Sequence, residues 1–268
     1  MPKILLLAAG SGERYKRDIL GPKCLTSFDG VRLIDYQLQL FEDFGIKEIA
    51  IVTGFMPETI SNIGIHAYHN DEFRNSNMVA TIYKAIDFFD YKDDIIISYT
   101  DIIYEPKILS SLIASTDDFV IVADRNWETL WQLRMTDYMS DVESLLTDDS
   151  NRITNIGSNS PPKDKVAGQY IGLIKLTPIA QKNFVIALNK AFSSYSSTVS
   201  SPYAQYSLTQ LISELVQHGW VINVCWVNGG WLEFDTENDK MRYEENKNSE
   251  VFKGIFNRGW YCNKKNCK

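Results

Sequence analysis

The chain has 268 residues, of which 44% are hydrophobic and 12% aromatic, and its formal net charge is -7. This apolar content suffices for a sizeable core and excludes an intrinsically disordered chain. The acidic balance argues against a protein that grips nucleic acid by its phosphates, so no nucleic-acid partner is expected.

Membrane and redox signals are also missing from the sequence. No apolar run approaches the roughly 18 residues needed to span a bilayer, so no membrane partner is expected. The start of the chain lacks the basic segment and long apolar stretch of a secretory signal. The four cysteines fit no zinc ribbon or redox pair: Cys24, Cys225, Cys262 and Cys267. Free thiols are expected, although Cys262 and Cys267 could pair if oxidised. A cytoplasmic enzyme is therefore expected.

The first half of the chain alternates predicted strands and helices. Short apolar runs predict four strands, at residues 4–7, 49–52, 95–97 and 119–122. Apolar residues at helical spacing predict three helices between them, at residues 33–44, 79–86 and 108–113. Because strands alternate with helices, we expect an α/β fold with a Rossmann-like, mostly parallel sheet flanked by helices.

After residue 123 the pattern changes. Short mixed segments at residues 127–135, 152–156 and 168–176 predict a small antiparallel extension over the carboxyl edge of the sheet, spanning about 124–176. Further predicted elements are helices at 178–192 and 203–217, a strand at 221–227, and a closing helix at 240–256 with a tail to 268. The chain has no internal repeat and no clear boundary, so a single domain over residues 1–268 is expected.

A glycine loop follows the first predicted strand. Residues 4–7 lead into Gly10 and Gly12, with Arg14 and Lys23 after them. A strand that feeds such a loop lets backbone N–H groups approach phosphate oxygens, and the two cations add positive charge there. The loop is neither a Walker A loop, which needs Gly-Lys-Ser/Thr, nor a dinucleotide fingerprint, since Tyr15 replaces its third glycine. We expect a nucleoside triphosphate site.

This stretch resembles the signature of the nucleotidyltransferase family that has a sugar nucleotidyltransferase-like fold. The signature Leu-Ala-Ala-Gly-x-Gly-x-Arg, followed by Pro-Lys, matches residues 7–14 and 22–23. The resemblance implies that Arg14 and Lys23 act catalytically by holding phosphates. It also implies that the loop contacts the nucleotide through Leu7, Ala8, Ala9, Gly10, Ser11 and Gly12. The chain departs from the sugar-specific members at residues 15–20, where their Pro-Leu-Thr segment is absent.

Two aspartates are candidate metal ligands. Asp101 follows the predicted central strand, at the sheet edge where α/β folds bind ligands, and Asp235 precedes the closing helix. The resemblance implies that they share Mg²⁺, a cation that prefers carboxylate oxygens. Each could instead cap a helix, and Glu233 is a weaker alternative ligand.

Residues 77–81 suggest a second nucleotide contact. Asn77, Met78 and Thr81 resemble a segment that lies under the nucleotide in the cytidylyltransferases of phosphocholine, phosphonates and phosphoglutamine. The alternative interpretation makes Asn77 a helix cap and Met78 a core residue.

The acceptor site is expected after the fourth strand. Arg125 and Arg134 could grip a phosphate or phosphonate, and Asp141 and Glu143 could pair with an amine. An aromatic enclosure for a cationic head group could be formed by Trp127, Trp131 and Tyr170. The alternative is that these aromatic residues form a core beneath the extension.

The resemblance implies a cytidylyltransferase. It would couple CTP to phosphocholine, 2-aminoethylphosphonate, a related phosphonate or phosphoglutamine, and release pyrophosphate with Mg²⁺ as cofactor. Two alternatives stay open: a sugar-1-phosphate nucleotidyltransferase using UTP or dTTP, and a non-catalytic nucleotide-binding regulator. The sequence also allows a homodimer, with aromatic residues near the end of the chain at its contact.

Overall fold

The computed structural model describes residues 1–10, 12 and 21–261. The strands found in these residues are β1 (Lys3–Ala8), β2 (Ser27–Phe28), β3 (Val31–Arg32), β4 (Ile49–Thr53), β5 (His66–His69), β6 (Ile95–Tyr99), β7 (Ile102–Tyr104), β8 (Phe119–Asp124), β9 (Glu143–Thr147), β10 (Ile153–Asn159), β11 (Gln169–Leu176), β12 (Asn223–Val227) and β13 (Trp231–Glu233). The α-helices in the same residues are α1 (Leu33–Asp43), α2 (Met78–Tyr83), α3 (Pro106–Ala114), α4 (Trp127–Arg134), α5 (Pro178–Phe192), α6 (Leu208–Gln217), α7 (Glu237–Asn246) and α8 (Glu250–Ile255).

The central sheet is mostly parallel, which confirms the expected fold class. Its order within the described residues is β12-β8-β11-β6-β1-β4-β5. β1 pairs in parallel with β4 and β6, while β11 runs antiparallel between β6 and β8. The carboxyl ends of β1, β4 and β6 therefore meet at one edge of the sheet.

Both faces of the sheet are covered, because alternate side chains of each central strand enter different cores. In β1, Ile4 and Leu6 pack into one hydrophobic cluster, and Leu5 and Leu7 pack into the other. A strand buried on both faces reads as a continuous apolar run, and that is why this strand was predictable from the sequence.

The second half of the chain differs from the prediction in three places. Residues 127–134 form helix α4 because the buried residues of this segment recur at helical spacing: Trp127, Leu130, Trp131 and Arg134. β11 lies inside the central sheet, so the antiparallel extension consists of β9 and β10. The single closing helix is two helices, α7 and α8, and the Ser249 side chain caps the second of them.

The described part of the chain contains no helix that is long and apolar enough to cross a membrane. The aromatic residues near its end pack internally: the rings of Trp260 and Tyr261 lie 6.1 and 4.4 Å from the ring of Tyr36 on α1. The homodimer stays a prediction.

Gly54, just after β4, holds the backbone of the glycine loop at close range. A Cβ at this position would lie 2.4 Å from the Ala9 carbonyl oxygen and 2.7 Å from the Phe73 Cβ. We therefore expect Gly54→Ala to lower the free energy of unfolding by about 1–3 kcal/mol and to weaken nucleotide binding. Urea unfolding and calorimetric titration with nucleotide measure the two effects.

Gly254 on α8 provides the control for this substitution. Among the described residues, no atom beyond its own chain neighbours and helix backbone lies within 4 Å of a Cβ built there, so Gly254→Ala should leave both quantities unchanged or stabilise the helix. If the two variants have the same free energy of unfolding and the same nucleotide affinity, the close approach at Gly54 contributes to neither quantity.

Candidate functional site

A cavity of about 350 Å³ opens at the carboxyl ends of β1 and β6. Most of the predicted nucleotide and catalytic residues line it, namely Leu7, Ala8, Ala9, Gly10, Gly12, Lys23, Asn77, Met78, Thr81 and Asp101. Ser11 and Arg14 lie outside the described residues. The volume is within the usual range for a small-molecule site. The lining residues are far apart in sequence and meet at this edge of the sheet.

The cavity also has wall residues that the sequence analysis did not single out. They are Phe73, Ser76, Tyr99 and Thr100, and Pro22 of the Pro-Lys signature lines the cavity as well. Thr100 links the ends of β1 and β6, because its hydroxyl donates to the Leu7 carbonyl oxygen at 2.8 Å. Tyr99 and Thr100 stand between the predicted strand and Asp101, and this position at a strand end was the available signal.

Asn77 begins α2 and faces the cavity at the same time. Its side-chain oxygen accepts from the Met78 backbone N–H at 2.8 Å, so the capping interpretation is correct for this residue. The Met78 sulfur accepts from the Tyr99 hydroxyl at 2.9 Å, and Thr81 donates to the Asn77 carbonyl oxygen. These bonds fix the first turn of α2 against the cavity, and the nucleotide contact stays a prediction.

Asp101 and Asp235 lie next to each other although 134 residues separate them in the sequence. Asp101 lies between β6 and β7, and Asp235 follows β13, which pairs antiparallel with β7. The Phe234 N–H donates to the Asp101 carbonyl oxygen at 2.8 Å and extends this pairing. Neither aspartate caps a helix, because the N-caps of α3 and α7 are Glu105 and Thr236.

The buried side chain of Gln37 on α1 binds the backbone on both sides of Asp101. Its amide donates to the carbonyl oxygens of Tyr99 and Ile102, at 2.8 and 2.7 Å. These two residues flank Thr100 and Asp101, so Gln37 helps to position the aspartate. The sequence signal was a glutamine on the otherwise apolar face of α1.

Lys23 joins the two aspartates. Its Nζ donates to Asp101 Oδ2 at 3.0 Å and to Asp235 Oδ1 at 2.7 Å. Burial opposes the charge on this ammonium, but the two carboxylates outweigh it and raise the pKa of Lys23 above its usual value. The site therefore holds a fixed positive charge between two acidic side chains.

The donor set of Asp101 and Asp235 fits Mg²⁺. Both offer carboxylate oxygens within reach of one cation, and hard divalent ions bind such oxygens together with water and phosphate. The described residues contain no group of three or more His, Cys, Asp or Glu side chains arranged to hold a metal by themselves. A divalent ion here would thus take its other ligands from the nucleotide or from water.

Arg134 is a buried structural cation, which corrects its expected role in the acceptor site. Its side chain is 1% exposed. It donates from Nε to Asp239 Oδ1 at 3.1 Å and from a terminal nitrogen to Glu233. With these donors engaged inside the protein, the guanidinium cannot grip an acceptor phosphate in this arrangement.

Glu233 lies close enough to Asp101 and Asp235 to interact with their charges. Burial raises the pKa of the Glu233 carboxyl to about 7. Arg134 opposes this rise in pKa, while the negative charges of Asp235 and Asp101 add to it. The Arg134 contact thus stabilises a charge that the surrounding carboxylates disfavour.

Two of the three aromatic residues expected around a cationic head group belong to the core. Trp127 and Trp131 are each 4% exposed and pack edge to face, with centroids 6.1 Å apart. Trp131 also contacts Trp231 of β13. Helical spacing in α4 turns these rings inward, so the alternative of an aromatic core is the correct one for both.

The remaining predicted acceptor residues are less enclosed. Arg125 is exposed, and its guanidinium lies 4.2 Å from the centroid of the Trp226 ring. Asp141 is 40% exposed and lies 4.0 Å from the Arg134 guanidinium. Both remain predicted acceptor ligands.

Among the described residues, neither Glu143 nor Tyr170 lines the cavity. Burial raises the pKa of the Glu143 carboxyl, which accepts from the Thr209 hydroxyl at 3.3 Å. The Tyr170 ring packs edge to face against Tyr99, a wall residue, at 5.9 Å. The buried Tyr170 hydroxyl has no hydrogen-bond partner among the described residues.

The sequence matches a known family. A model described as the MobA-like NTP transferase domain covers residues 4–156, more than half of the chain. The chain therefore belongs to this family of nucleotidyltransferases. The matched range contains the glycine loop, Lys23 and Asp101, and Asp235 lies beyond it.

Several relatives are similar over parts or most of the chain. A CTP:phosphoglutamine cytidylyltransferase of Campylobacter jejuni is 28% identical over 247 residues, which cover 88% of this chain and 96% of the relative. A CMP-5'-(3-aminopropyl)phosphonate synthase of Streptomyces rubellomurinus is 26% identical over 54% of this chain and 24% of its own length. A choline-phosphate cytidylyltransferase of Streptococcus pneumoniae is 29% identical over 30% of this chain and 38% of its own length.

Solved structures support the same fold. A CTP:phosphocholine cytidylyltransferase from Streptococcus pneumoniae has a TM-score of 0.71 at 18% identity, over 91% of this chain and 97% of the other. An inositol-1-phosphate CTP transferase from T. maritima has a TM-score of 0.67 at 18% identity, over 98% of each chain. At this level of identity the likeness concerns the fold alone.

Proposed function

We propose that this protein is a cytidylyltransferase that couples CTP to a small phosphorylated or phosphonate acceptor and releases pyrophosphate in a Mg²⁺-dependent reaction. The observation that carries the proposal is the triad of Lys23, Asp101 and Asp235 beside the cavity at the sheet edge. Relatives that use CTP and the matched family model support the same conclusion.

In this reaction an oxygen of the acceptor's phosphate or phosphonate attacks the α-phosphorus of CTP. A new P–O bond forms, the bond between the α-phosphorus and the bridging oxygen breaks, and that oxygen leaves with its electrons on pyrophosphate. No covalent enzyme intermediate is needed, so the chain's task is to position the reactants and neutralise charge.

The residues of the cavity suit these tasks. The backbone of Gly10 and Gly12 can approach the nucleotide closely, and Lys23 supplies a positive charge for the phosphates. Asp101 and Asp235 would hold the Mg²⁺, which supplies charge neutralisation at the phosphate oxygens when it is bound. Asn77 and Met78 line the same cavity, are held by the bonds described above, and would contact the nucleotide there.

For the acceptor we propose Glu143 and Asp141 as partners of a positively charged amine, with Tyr170 and Arg125 nearby. Glu143 is the most enclosed of these carboxylates, and its contact with Thr209 fixes its orientation. An ammonium that paired with it would offset the cost of burying the carboxylate. This arrangement favours an acceptor that carries both a phosphorus group and a cationic group.

Replacing Glu143 by Gln tests this assignment. We expect the KM for an amine-bearing acceptor to rise about tenfold, since a charge-assisted hydrogen bond contributes roughly 1.5–3 kcal/mol, while the KM for CTP stays within about twofold. Initial-rate kinetics with each substrate varied in turn measure this difference. Thr209→Val is a companion variant that removes the contact to Glu143 but keeps the carboxylate, and it should change the acceptor KM less. An unchanged acceptor KM in Glu143→Gln would remove Glu143 from the acceptor site.

The function itself is tested by pyrophosphate release in the presence of Mg²⁺. Four nucleoside triphosphates are crossed with phosphocholine, 2-aminoethylphosphonate, hydroxymethylphosphonate, phosphoglutamine and glucose-1-phosphate. Release with CTP and one non-sugar acceptor is the expected result. Release only with UTP or dTTP and the sugar phosphate would replace the proposal with a sugar nucleotidyltransferase. Nucleotide binding without release from any pair would favour a regulatory protein.

A further inference from the structure

Lys23 occupies the position between the two carboxylates in which a bound cation would neutralise both. Its ammonium contacts one oxygen of Asp101 and one of Asp235, and these aspartates are 78 and 212 residues away in sequence. The side chains of all three residues are no more than 23% exposed. One positive charge therefore already balances part of the negative charge of the site.

A second cation cannot enter this position without a conflict. A divalent ion that binds the same two carboxylates would stand a few ångströms from the ammonium, where like charges repel strongly in a partly buried site. The lysine side chain can relieve the conflict, because its charge sits at the end of a flexible four-carbon stem.

The stem of Lys23 also borders the place to which the ammonium would move. Lys23 lines the cavity together with Gly10, Gly12 and Pro22, on the side of the glycine loop. A triphosphate in that cavity would offer the ammonium new negative partners in exchange for the carboxylates. The Lys23 ammonium can thus pair with the two carboxylates in the absence of nucleotide and with the phosphates when nucleotide is bound.

From this arrangement we infer that Lys23 is an exchangeable counter-cation of the metal carboxylates. It holds Asp101 and Asp235 together while the site has no divalent ion, and it moves to the phosphates when nucleotide and metal bind. The inference depends on the proposed function for the identity of the divalent ion. It adds that nucleotide and divalent ion bind cooperatively. Divalent ions without nucleotide bind weakly because Lys23 competes for their ligands, and nucleotide strengthens their binding by withdrawing Lys23.

The test measures binding of Mn²⁺ alone, without nucleotide or acceptor, by the electron paramagnetic resonance signal of the free ion. Wild-type protein is compared with Lys23→Met, which removes the charge, and with Lys23→Arg, which keeps it. We expect Lys23→Met to bind Mn²⁺ at least about tenfold more tightly than wild type, because a competing charge at short range has gone. Lys23→Arg should bind as weakly as wild type.

The double variant Lys23→Met/Asp235→Asn locates the effect, since the gain in Mn²⁺ affinity should vanish with one of the two carboxylates. Thermal unfolding of every variant shows that the comparison is made on folded protein, and Lys23→Gln is the substitute where the methionine variant unfolds. Equal Mn²⁺ affinity in wild type and in the uncharged variant would overturn the inference. Because this experiment uses no CTP and no turnover, its outcome is independent of the pyrophosphate assay that tests the function.

Discussion

Replacement of Asp101 or Asp235 by Asn is expected to lower kcat/KM for the CTP reaction by at least about a hundredfold. Each variant removes one carboxylate from the site that Lys23 now bridges, and the loss of a metal ligand withdraws several kcal/mol of charge stabilisation in the transition state. Nucleotide binding should persist, because the glycine loop is unchanged. The measurement is pyrophosphate release over a range of Mg²⁺ concentrations, together with calorimetric binding of CTP.

Asp117→Asn is the matched control for these two variants. Asp117 is exposed just before β8. Because β11 is antiparallel to both β6 and β8, β8 runs parallel to β6, and its amino end lies at the edge opposite the cavity. The activity of Asp117→Asn should equal that of wild type. Near-normal turnover in both Asp101→Asn and Asp235→Asn would mean that the divalent ion, and with it the proposed chemistry, depends on other residues.

The second large effect is expected on stability. Arg134→Met should lower the free energy of unfolding by about 3–5 kcal/mol, because it leaves the buried carboxylate of Asp239 and the partly buried carboxylate of Glu233 without their cation. Asp239 is also part of the capping box of α7, so the variant weakens the start of that helix. Urea denaturation, followed by circular dichroism, gives the free energy.

Two further variants test the cause of this loss. Arg134→Met/Glu233→Gln/Asp239→Asn removes the buried negative charges and should recover part of the stability. Arg125→Met removes an exposed arginine whose guanidinium lies over the ring face of Trp226, and should cost no more than about 1 kcal/mol. If Arg134→Met were as stable as wild type but had a raised acceptor KM, Arg134 would return to the acceptor site.

The sequence predicted the parallel part of the sheet well, and the reason is physical. Buried strands such as β1 and β6 are continuous apolar runs, and the glycines that follow β1 mark the turn at the sheet edge. The residues 127–134 were harder to predict. Two tryptophans in a short charged segment can suit either a ligand site or a core, and only packing against Trp231 distinguishes the two.

The candidate site was also predictable only in part. Lys23, Asp101 and Asp235 could each be selected from local patterns: Asp101 because it follows a predicted strand, and Lys23 and Asp235 because they stand in segments that resemble the family. Their mutual contact could not, since it depends on the pairing of β7 with β13. The dual role of Asn77 was also beyond the local pattern, which offered a cap or a nucleotide contact as alternatives, whereas the residue both caps α2 and lines the cavity.

The position of β11 between β6 and β8 has a consequence for how the protein is made. The two sides of the sheet can join only after residues 169–176 have left the ribosome, because this strand pairs with both neighbours. Asp235 emerges later still, 212 residues after Lys23. Until then a nascent chain has Lys23 and Asp101 but lacks the second carboxylate partner, and long-range pairings of this kind slow folding. The carboxylate pair is complete only once Asp235 has been translated, so a nascent chain that ends before this residue cannot assemble the site.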